Sequence, residues 1–316
     1  MEIRIRPTVL LLPLVFFLAA CSPGNDFQAP IARFQQSTET ATVAIKAYYA
    51  ELNQYERNLY LQERLLHDSL RVATRDSKGN PTPLLFKPFA PEALQGRLDL
   101  LQQISQYGQQ LAALAGNEAP QEAKKNIMTL AADLSDLNAT FAALSKNKDP
   151  EAARYIGPIG SILGIVSEPL LEKKRSNALR EAIREGQKPV EALLTFLEQD
   201  LRKYVESTRT TGQRLELAEW VNYYNRHIGK LSLAQRQQVL RHIAQAVAEL
   251  ELVQQSQPAD VVVGLRKAHA ALVQYAASSG KPGDLGSLVS AVKGFQQEAQ
   301  QLVEATLALR KLSSEK

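Results

Sequence analysis

The sequence predicts an all-α fold, an elongated antiparallel helical bundle of roughly seven or eight long, heptad-patterned helices. Three observations lead to this fold class. Apolar residues recur at alternating three- and four-residue steps over most of the chain. Proline and glycine clusters separate these segments, and no long run alternates apolar with polar residues as a half-buried strand would.

The first helix is predicted from residue 31 to about residue 74. At 1.5 Å per residue it would reach roughly 65 Å, so the bundle is expected to be elongated. Its stripe is apolar except at Thr38 and Gln62. The stripe consists of Ile31, Phe34, Thr38, Ala41, Ile45, Tyr48, Leu52, Tyr55, Leu59, Gln62 and Leu66.

The same spacing predicts the later helices. In one segment a surplus four-residue step reaches Leu201, and such a stutter locally unwinds a supercoil. Pro189, in the same segment, is expected to kink the helix or to mark a junction. The heptad segments are 127–144, 179–204, 240–250, 261–275 and 285–309.

Turns are predicted where proline and glycine interrupt the heptads. Hairpin turn chemistry is not found, so no paired strands are expected, and no fixed repeat indicates a solenoid. Residues 31–316 are therefore expected to form one bundle, with 150–170 as the candidate for an internal junction. The predicted breaks are 77–83, 116–120, 148–150, Gly229, 256–258 and 280–283.

The N-terminus carries an export signal. Arg4 and Arg6 precede an uncharged run from Val9 to Ala20, which is too short to span a membrane as a helix. The run ends in Leu18-Ala19-Ala20-Cys21, which resembles the lipobox of bacterial lipoprotein signal peptides. The alternative is a general secretory signal followed by a chance cysteine.

The lipoprotein resemblance implies that residues 1–20 are removed and that Cys21 receives a diacylglyceryl group and an acylated amine. Two or more acyl chains anchor a protein to the lipid bilayer effectively permanently. Residues 21–30 then read as a lipidated, flexible tether. By the same resemblance, Ser22 after the cysteine favours the bacterial outer membrane, with the protein facing the periplasm.

Composition excludes several classes of protein. Cys21 is the single cysteine, which excludes a disulfide framework and a zinc or iron–sulfur site built on thiolates. Lysine and arginine number 37 against 33 acidic residues, so the charge balance gives no support to nucleic-acid binding.

Two apolar segments are candidates for membrane or partner contact. The first, Tyr155 to Ser167, is uncharged and contains Gly160 and Gly164 at small-xxx-small spacing. It either leaves the bundle to insert into a membrane or forms a buried turn whose glycines allow close packing. The second, Pro83 to Phe89, either docks on a partner or a membrane surface or folds back to cap the bundle. The candidate contact residues are Ile156, Ile159, Ile162, Leu163 and Ile165 in the first segment, and Leu84, Leu85 and Phe86 in the second.

Catalytic and metal chemistry have little support in the sequence. The histidines at 67, 227, 242 and 269 lie in separate segments, and none pairs with another at the spacing of a zinc protease. No nucleophile elbow or phosphate-binding loop is present. Trp220, Tyr223 and Tyr224 could stack on a ligand, although such a cluster is more typical of a core. We expect no enzyme activity, cofactor or metal.

These features predict a membrane-anchored envelope lipoprotein that acts as a non-enzymatic scaffold or docking module for another envelope component. Long helical bundles offer extended faces and reach rather than deep, dry pockets. The alternative is a membrane-active helical protein, similar in outline to helical cytolysins, that inserts the apolar, glycine-rich segment 155–167.

Overall fold

The computed structural model of the protein describes residues 25–66, 74–75, 81–82, 91–115, 120–147, 149–166, 175–255, 257–278 and 282–314. The described chain is helical almost throughout, which confirms the all-α prediction. Its helices are α1 (Asn25–Leu66), α2 (Pro91–Ala115), α3 (Pro120–Asn147), α4 (Ala153–Val166), α5 (Arg175–Asp200), α6 (Ser207–His227), α7 (Leu233–Gln255), α8 (Pro258–Ala277) and α9 (Pro282–Ser314).

Short elements complete the described chain. A 3-10 turn, Pro150–Ala152, precedes α4. Strands β1 (Thr74–Arg75) and β2 (Pro81–Thr82) form an antiparallel pair, although no strand pairing was expected. This pair was not predictable because two-residue strands are too short to show an apolar alternation.

The N-terminal boundary of α1 corrects the predicted tether. The helix begins at Asn25, so residues 25–30 belong to it, and Pro30 lies inside its first turns. Ile31 is fully buried in the core, and this packing stabilises the start of the helix. It thereby offsets the destabilisation that an internal proline causes. The described helix extends to Leu66, and residues 67–73 of the predicted helix lie outside the described residues.

Consecutive helices pack mainly antiparallel, but the bundle also contains a parallel pair. Helices α1 and α9 run in the same direction, because Phe34 packs on Phe295 near the start of both helices and Arg310 pairs with Glu51 further along. The antiparallel packing of consecutive helices therefore coexists with one parallel pair of helices that are distant in the sequence. A packed helix face has no intrinsic direction, so heptads alone do not decide between the two arrangements.

Helices α5 and α6 form one continuous rod from Arg175 to His227. They are joined by a π-helical turn, Leu201–Glu206, which begins at the residue where the heptad slips. A wide π turn takes up the surplus residue and keeps Leu201 and Val205 buried. The rod also continues through Pro189 without a junction.

The core includes the predicted stripes of five segments, together with buried residues of α2 and α4 that no stripe predicted. Every predicted position of α3 and of α8 is buried, and the stripes of α1, α5 and α9 are buried over most of their described length. Gly186 permits a close approach between the rod and α2, because a Cβ there would lie 2.6 Å from the Tyr107 hydroxyl oxygen. The predicted stripe of α7 is the exception. Leu240 and Val247 are exposed, and the buried residues of this helix are Val239, Ala246, Glu249 and Val253.

Candidate functional site

The described part of the apolar segment, residues 155–166, lies against the core in this structure. Residues 153–166 form α4, a helix rather than a turn. Ile159 and Ile162 are buried, and they cannot contact a membrane or partner unless α4 leaves the bundle. Ile156, Leu163 and Ile165 are partly buried and also pack against the core. The insertion of this segment therefore stays a prediction about a different conformation.

The glycines of α4 do not serve the close packing that was expected of them. A Cβ added at Gly157 or Gly164 would meet nothing within 4 Å, and one at Gly160 would meet only the Asn138 amide at 3.9 Å. These residues follow the outer side of the helix, opposite Tyr155 and Ile159. Spacing alone gave the small-xxx-small pair but not the side of the helix on which it lies.

The remaining candidate residues cannot be placed in the fold. Cys21, Leu84, Leu85 and Phe86 lie outside the described residues.

Neither a membrane-spanning helix nor a metal-binding cluster is found within the described ranges. Across these ranges, no helix combines the length and the hydropathy that crossing a bilayer requires. No group of three or more histidine, cysteine, aspartate or glutamate side chains comes together there to hold a metal ion.

A buried ionic cluster ties the rod to three other elements. Arg97 of α2 is 1% exposed and donates from Nε to Asp200 Oδ2 at 2.8 Å and from Nη1 to Asp149 Oδ2 at 2.8 Å. The Tyr155 hydroxyl of α4 donates to the same Asp200 oxygen at 2.7 Å. Burial alone would lower the pKa of Arg97, but Asp200, Tyr155 and Asp149 raise it above its usual value. The cluster therefore fixes the relative positions of α2, α4 and the rod.

His269 lies in an apolar part of the core. Its ring packs between Phe34 and Tyr107, at centroid distances of 6.3 and 6.0 Å, and Nε2 has no hydrogen-bond partner in the described chain. Burial lowers the pKa of His269 to about 4. The imidazole is therefore neutral near pH 7, as a core side chain in this environment should be.

A polar groove of about 660 Å³ opens between α1, α2 and α3. Glutamine amides dominate its walls, and none of its lining residues in the described chain is charged. Gln106 is held by a hydrogen bond to Asp133 at 3.2 Å. The groove lining is Gln28, Ala32, Gln35, Gln106, Gln109, Gln110, Ala112, Ala113, Asn126, Thr129 and Leu130.

Helices α6 and α7 form a two-helix arm, residues 207–255, whose base lies level with Tyr48 of α1. Arg209, at the base of the arm, lies over the Tyr48 ring of α1 at 5.0 Å. From there α6 continues for 18 residues to His227, about 27 Å at 1.5 Å per residue. The chain then turns back into α7. In that helix, Gln245 donates to the Leu312 carbonyl of α9 at 2.6 Å.

Aromatic and polar contacts hold the two helices of the arm together. Trp220 is only 6% exposed and stacks on His242 at a centroid distance of 4.5 Å and an interplanar angle of 12°. Nearer the base, Gln213 donates to Glu249 Oε2 at 2.9 Å. Trp220 is thus part of the core of the arm. These contacts also define which sides of α6 and α7 face each other.

A second apolar stripe on α7 faces solvent. Leu233 is 74% exposed, Leu240 is 47% exposed and Val247 is 37% exposed, although they lie at successive heptad positions. Ile243 and Leu250 belong to the same stripe and are half-buried. The side of α7 that packs on α6 is a different one, which carries Val239, Ala246 and Val253. The predicted heptad is therefore real, but no residue in the described part of the chain covers it.

Helix α6 carries a matching stripe. Leu217, Val221, Tyr224 and the C-cap residue Ile228 follow steps of four, three and four residues; Val221 and Ile228 are exposed, whereas Leu217 and Tyr224 are half-buried. At about 100° per residue, this stripe lies about 40–100° round α6 from Trp220.

The stripes of α6 and α7 lie on one side of the arm. The α7 stripe lies about 80–180° round the helix from His242, in the same rotational sense as the α6 stripe from Trp220. Because the helices are antiparallel, the same sense places both stripes on one side. Gln245, which contacts α9, lies about 60° round in the opposite sense. We call this solvent-facing side the outer face of the arm.

The outer face carries positive charge without a matching carboxylate. Arg214 and Arg236 each occupy a heptad position within the stripes, and neither forms an ion pair in the described part of the chain. Arg236 Nε donates only to the Leu231 carbonyl, at 3.1 Å. No acidic residue occurs between Glu219 and Glu249. The outer face therefore combines an apolar surface with two unpaired guanidinium groups.

Sequence reasoning found the heptad of α7 but not its exposure. The sequence contains part of the signal for this exposure, because α7 has two apolar stripes. A helix that packs on one partner needs only one such stripe. Which stripe faces α6 depends on Trp220 and His242, and no local pattern determines that pairing.

No family model, no curated protein and no solved structure matches this chain.

Proposed function

We propose that this protein is a lipid-anchored component of the bacterial envelope whose arm docks another envelope component. The observation that carries the proposal is the outer face of the arm, where Leu233, Leu240 and Val247 are exposed in heptad register. Large contiguous apolar surfaces on soluble domains mark sites of interaction. The lipobox resemblance at Cys21 supplies the anchor in this proposal.

The separation of the two ends supports a role that depends on reach. The anchor precedes α1, and the arm leaves the bundle near Tyr48, which lies 23 residues after Asn25. The stretch of α1 from Asn25 to Tyr48 is about 34 Å long, and the arm adds about 27 Å in the same general direction. Its tip would thus lie roughly 60 Å from the start of α1. A protein anchored at its N-terminus would present this tip well away from its own membrane.

The burial of α4 does not favour membrane insertion as a second function. Insertion of segment 155–167 would remove Tyr155, Ile159 and Ile162 from the core and break the Tyr155–Asp200 hydrogen bond. No feature of the described chain offsets that loss.

Photo-crosslinking in living cells tests the docking proposal. A photoreactive amino acid replaces Leu240 in the full-length protein, and a matched control carries it at Leu307, an exposed residue of α9. We expect a discrete, stoichiometric adduct with one envelope component from position 240 and none from position 307. Absence of an adduct at 240, or the same adducts at both positions, would contradict the proposal.

The anchor is tested separately with Cys21→Ala. We expect this variant to lose metabolic labelling by fatty acid and to leave the membrane fraction, because the single thiol that can carry the diacylglyceryl group is gone. Fatty-acid labelling that persists in Cys21→Ala would refute the lipoprotein assignment and would leave the arm proposal unaffected.

A further inference from the structure

We propose that the outer face of the arm binds an amphipathic helix that carries two carboxylates, one opposite Arg214 and the other opposite Arg236. The bound helix would complete a three-helix coiled coil with α6 and α7. This inference rests on the proposed function and specifies the chemistry of the partner.

The heptad register identifies a helix as the shape that fits. Leu233, Arg236, Leu240, Ile243, Val247 and Leu250 follow steps of three and four without a break, and α6 continues the same pattern. This spacing keeps a stripe aligned with a neighbouring helix that supercoils around it. The α7 stripe alone, from Leu233 to Leu250, spans 18 residues, about 26 Å of helix. A partner of about 18 to 21 residues would therefore cover the outer face.

The two arginines set the charge pattern of the partner. Trp220 lies level with His242, and Gln213 lies level with Glu249. By this register, Arg236 lies level with residue 226 of α6, 12 residues or about 18 Å from Arg214. Burying an unpaired guanidinium under a docked helix would be costly, whereas a carboxylate opposite it forms a charge-assisted hydrogen bond. The partner should therefore carry two acidic residues about 11 or 12 positions apart on its apolar side.

The same arginines disfavour a second copy of the chain as the occupant. The stripes carry no aspartate or glutamate, and the arm has none between Glu219 and Glu249. Two outer faces packed together would therefore bury Arg214 and Arg236 without partners.

A lipid bilayer also fits the outer face less well than a helix does. Helices that lie on membranes carry cations along the polar side, flanking an apolar side that enters the acyl region. Here Arg236 lies in the middle of the stripe, between Leu233 and Leu240, whereas Arg226 and Arg241 lie on the opposite side of the arm.

A binding assay with designed peptides tests the inference. The full-length protein is placed in phosphatidylcholine nanodiscs, so that the anchor is accommodated without free detergent. A fluorescent 21-residue heptad peptide carries glutamates at two core positions 11 residues apart, and a control peptide carries lysines there. We expect the glutamate peptide to bind at least about tenfold more tightly, because close charge pairs at an interface are strongly coupled.

Charge-swap variants localise the binding. Arg236→Glu should weaken binding of the glutamate peptide and strengthen binding of the lysine peptide. Arg214→Glu should have the same two effects independently, so the test does not depend on the folding of a single variant. Arg241→Glu makes the same change of charge on the opposite side of α7 and should leave both affinities unchanged. Circular dichroism checks that each variant stays helical.

Several results would overturn the inference. These are equal affinity for the two peptides, no binding of either peptide at about 1 mM, or an equal effect of Arg241→Glu and Arg236→Glu. Binding to phosphatidylglycerol vesicles that Arg236→Glu abolishes would identify a lipid surface instead, and self-association that it abolishes would identify a second copy. If position 240 crosslinks to a partner segment that is not an acidic amphipathic helix, this inference fails while the docking proposal stands.

Discussion

Removing the Asp200 carboxylate should destabilise the protein more than any surface substitution. Asp200 Oδ2 accepts from Arg97 Nε at 2.8 Å and from the Tyr155 hydroxyl at 2.7 Å, and it lies 2.7 Å from Arg97 Nη2. In Asp200→Ala, the buried guanidinium keeps Asp149 but loses the carboxylate that Nε and Nη2 contact, and the Tyr155 hydroxyl loses its acceptor. Breaking a buried ion pair in this way costs about 3–5 kcal/mol.

That loss converts into a measurable melting shift. An unfolding entropy of about 2.1 cal/mol/K per residue gives roughly 0.66 kcal/mol/K for a chain of this length, so a loss of about 4 kcal/mol lowers Tm by about 6 °C. Circular dichroism at 222 nm, in urea and on heating, measures both quantities at pH 7. Asp136→Ala removes an exposed carboxylate of α3 and should stay within about 0.5 kcal/mol of the parent.

A double variant tests the physical reason. Arg97→Met with Asp200→Leu leaves no buried guanidinium, so its loss of stability should be smaller than the sum of the two single losses. A loss below about 1 kcal/mol for Asp200→Ala would mean that water or another group already compensates Arg97, and the reasoning would be refuted.

Two further predictions concern the core. The pKa of His269 falls to about 4 in the folded protein from about 6.5 unfolded, so the unfolded state binds the extra proton and stability decreases as pH falls through that interval. The shift corresponds to about 3 kcal/mol, and the unfolding free energy of His269→Phe should show that much less dependence between pH 7 and pH 4 than the parent; equal pH dependence would contradict the assignment. Ile162→Asp places a carboxylate at a 3% exposed core position and should cost about 4 kcal/mol or more in urea unfolding. An Ile162→Asp bundle of unchanged stability that no longer causes vesicle leakage would instead support membrane insertion of segment 155–167.

The sequence by itself was sufficient for the fold class and for most helix boundaries. Helix-forming heptads and proline–glycine breaks are local signals, and a 3.5-residue repeat can be buried only along a helix. For this reason the stripes of α3, α8 and α9 were identified residue by residue. Even the slip at Leu201 was visible, because a surplus residue must be accommodated somewhere in a packed helix, and a π turn does so here.

Only the tertiary structure decided which apolar stripes are covered and which charges meet. A helix face specifies neither its neighbour nor its direction, so the parallel pairing of α1 with α9 and the exposure of Leu240 were not predictable from spacing. Arg97 and Asp200 are 103 residues apart in the sequence, and no local pattern around either residue predicts a buried ion pair. The outer face exists for the same reason: α7 carries two apolar stripes, and the stacking of Trp220 on His242 selects the one that is buried.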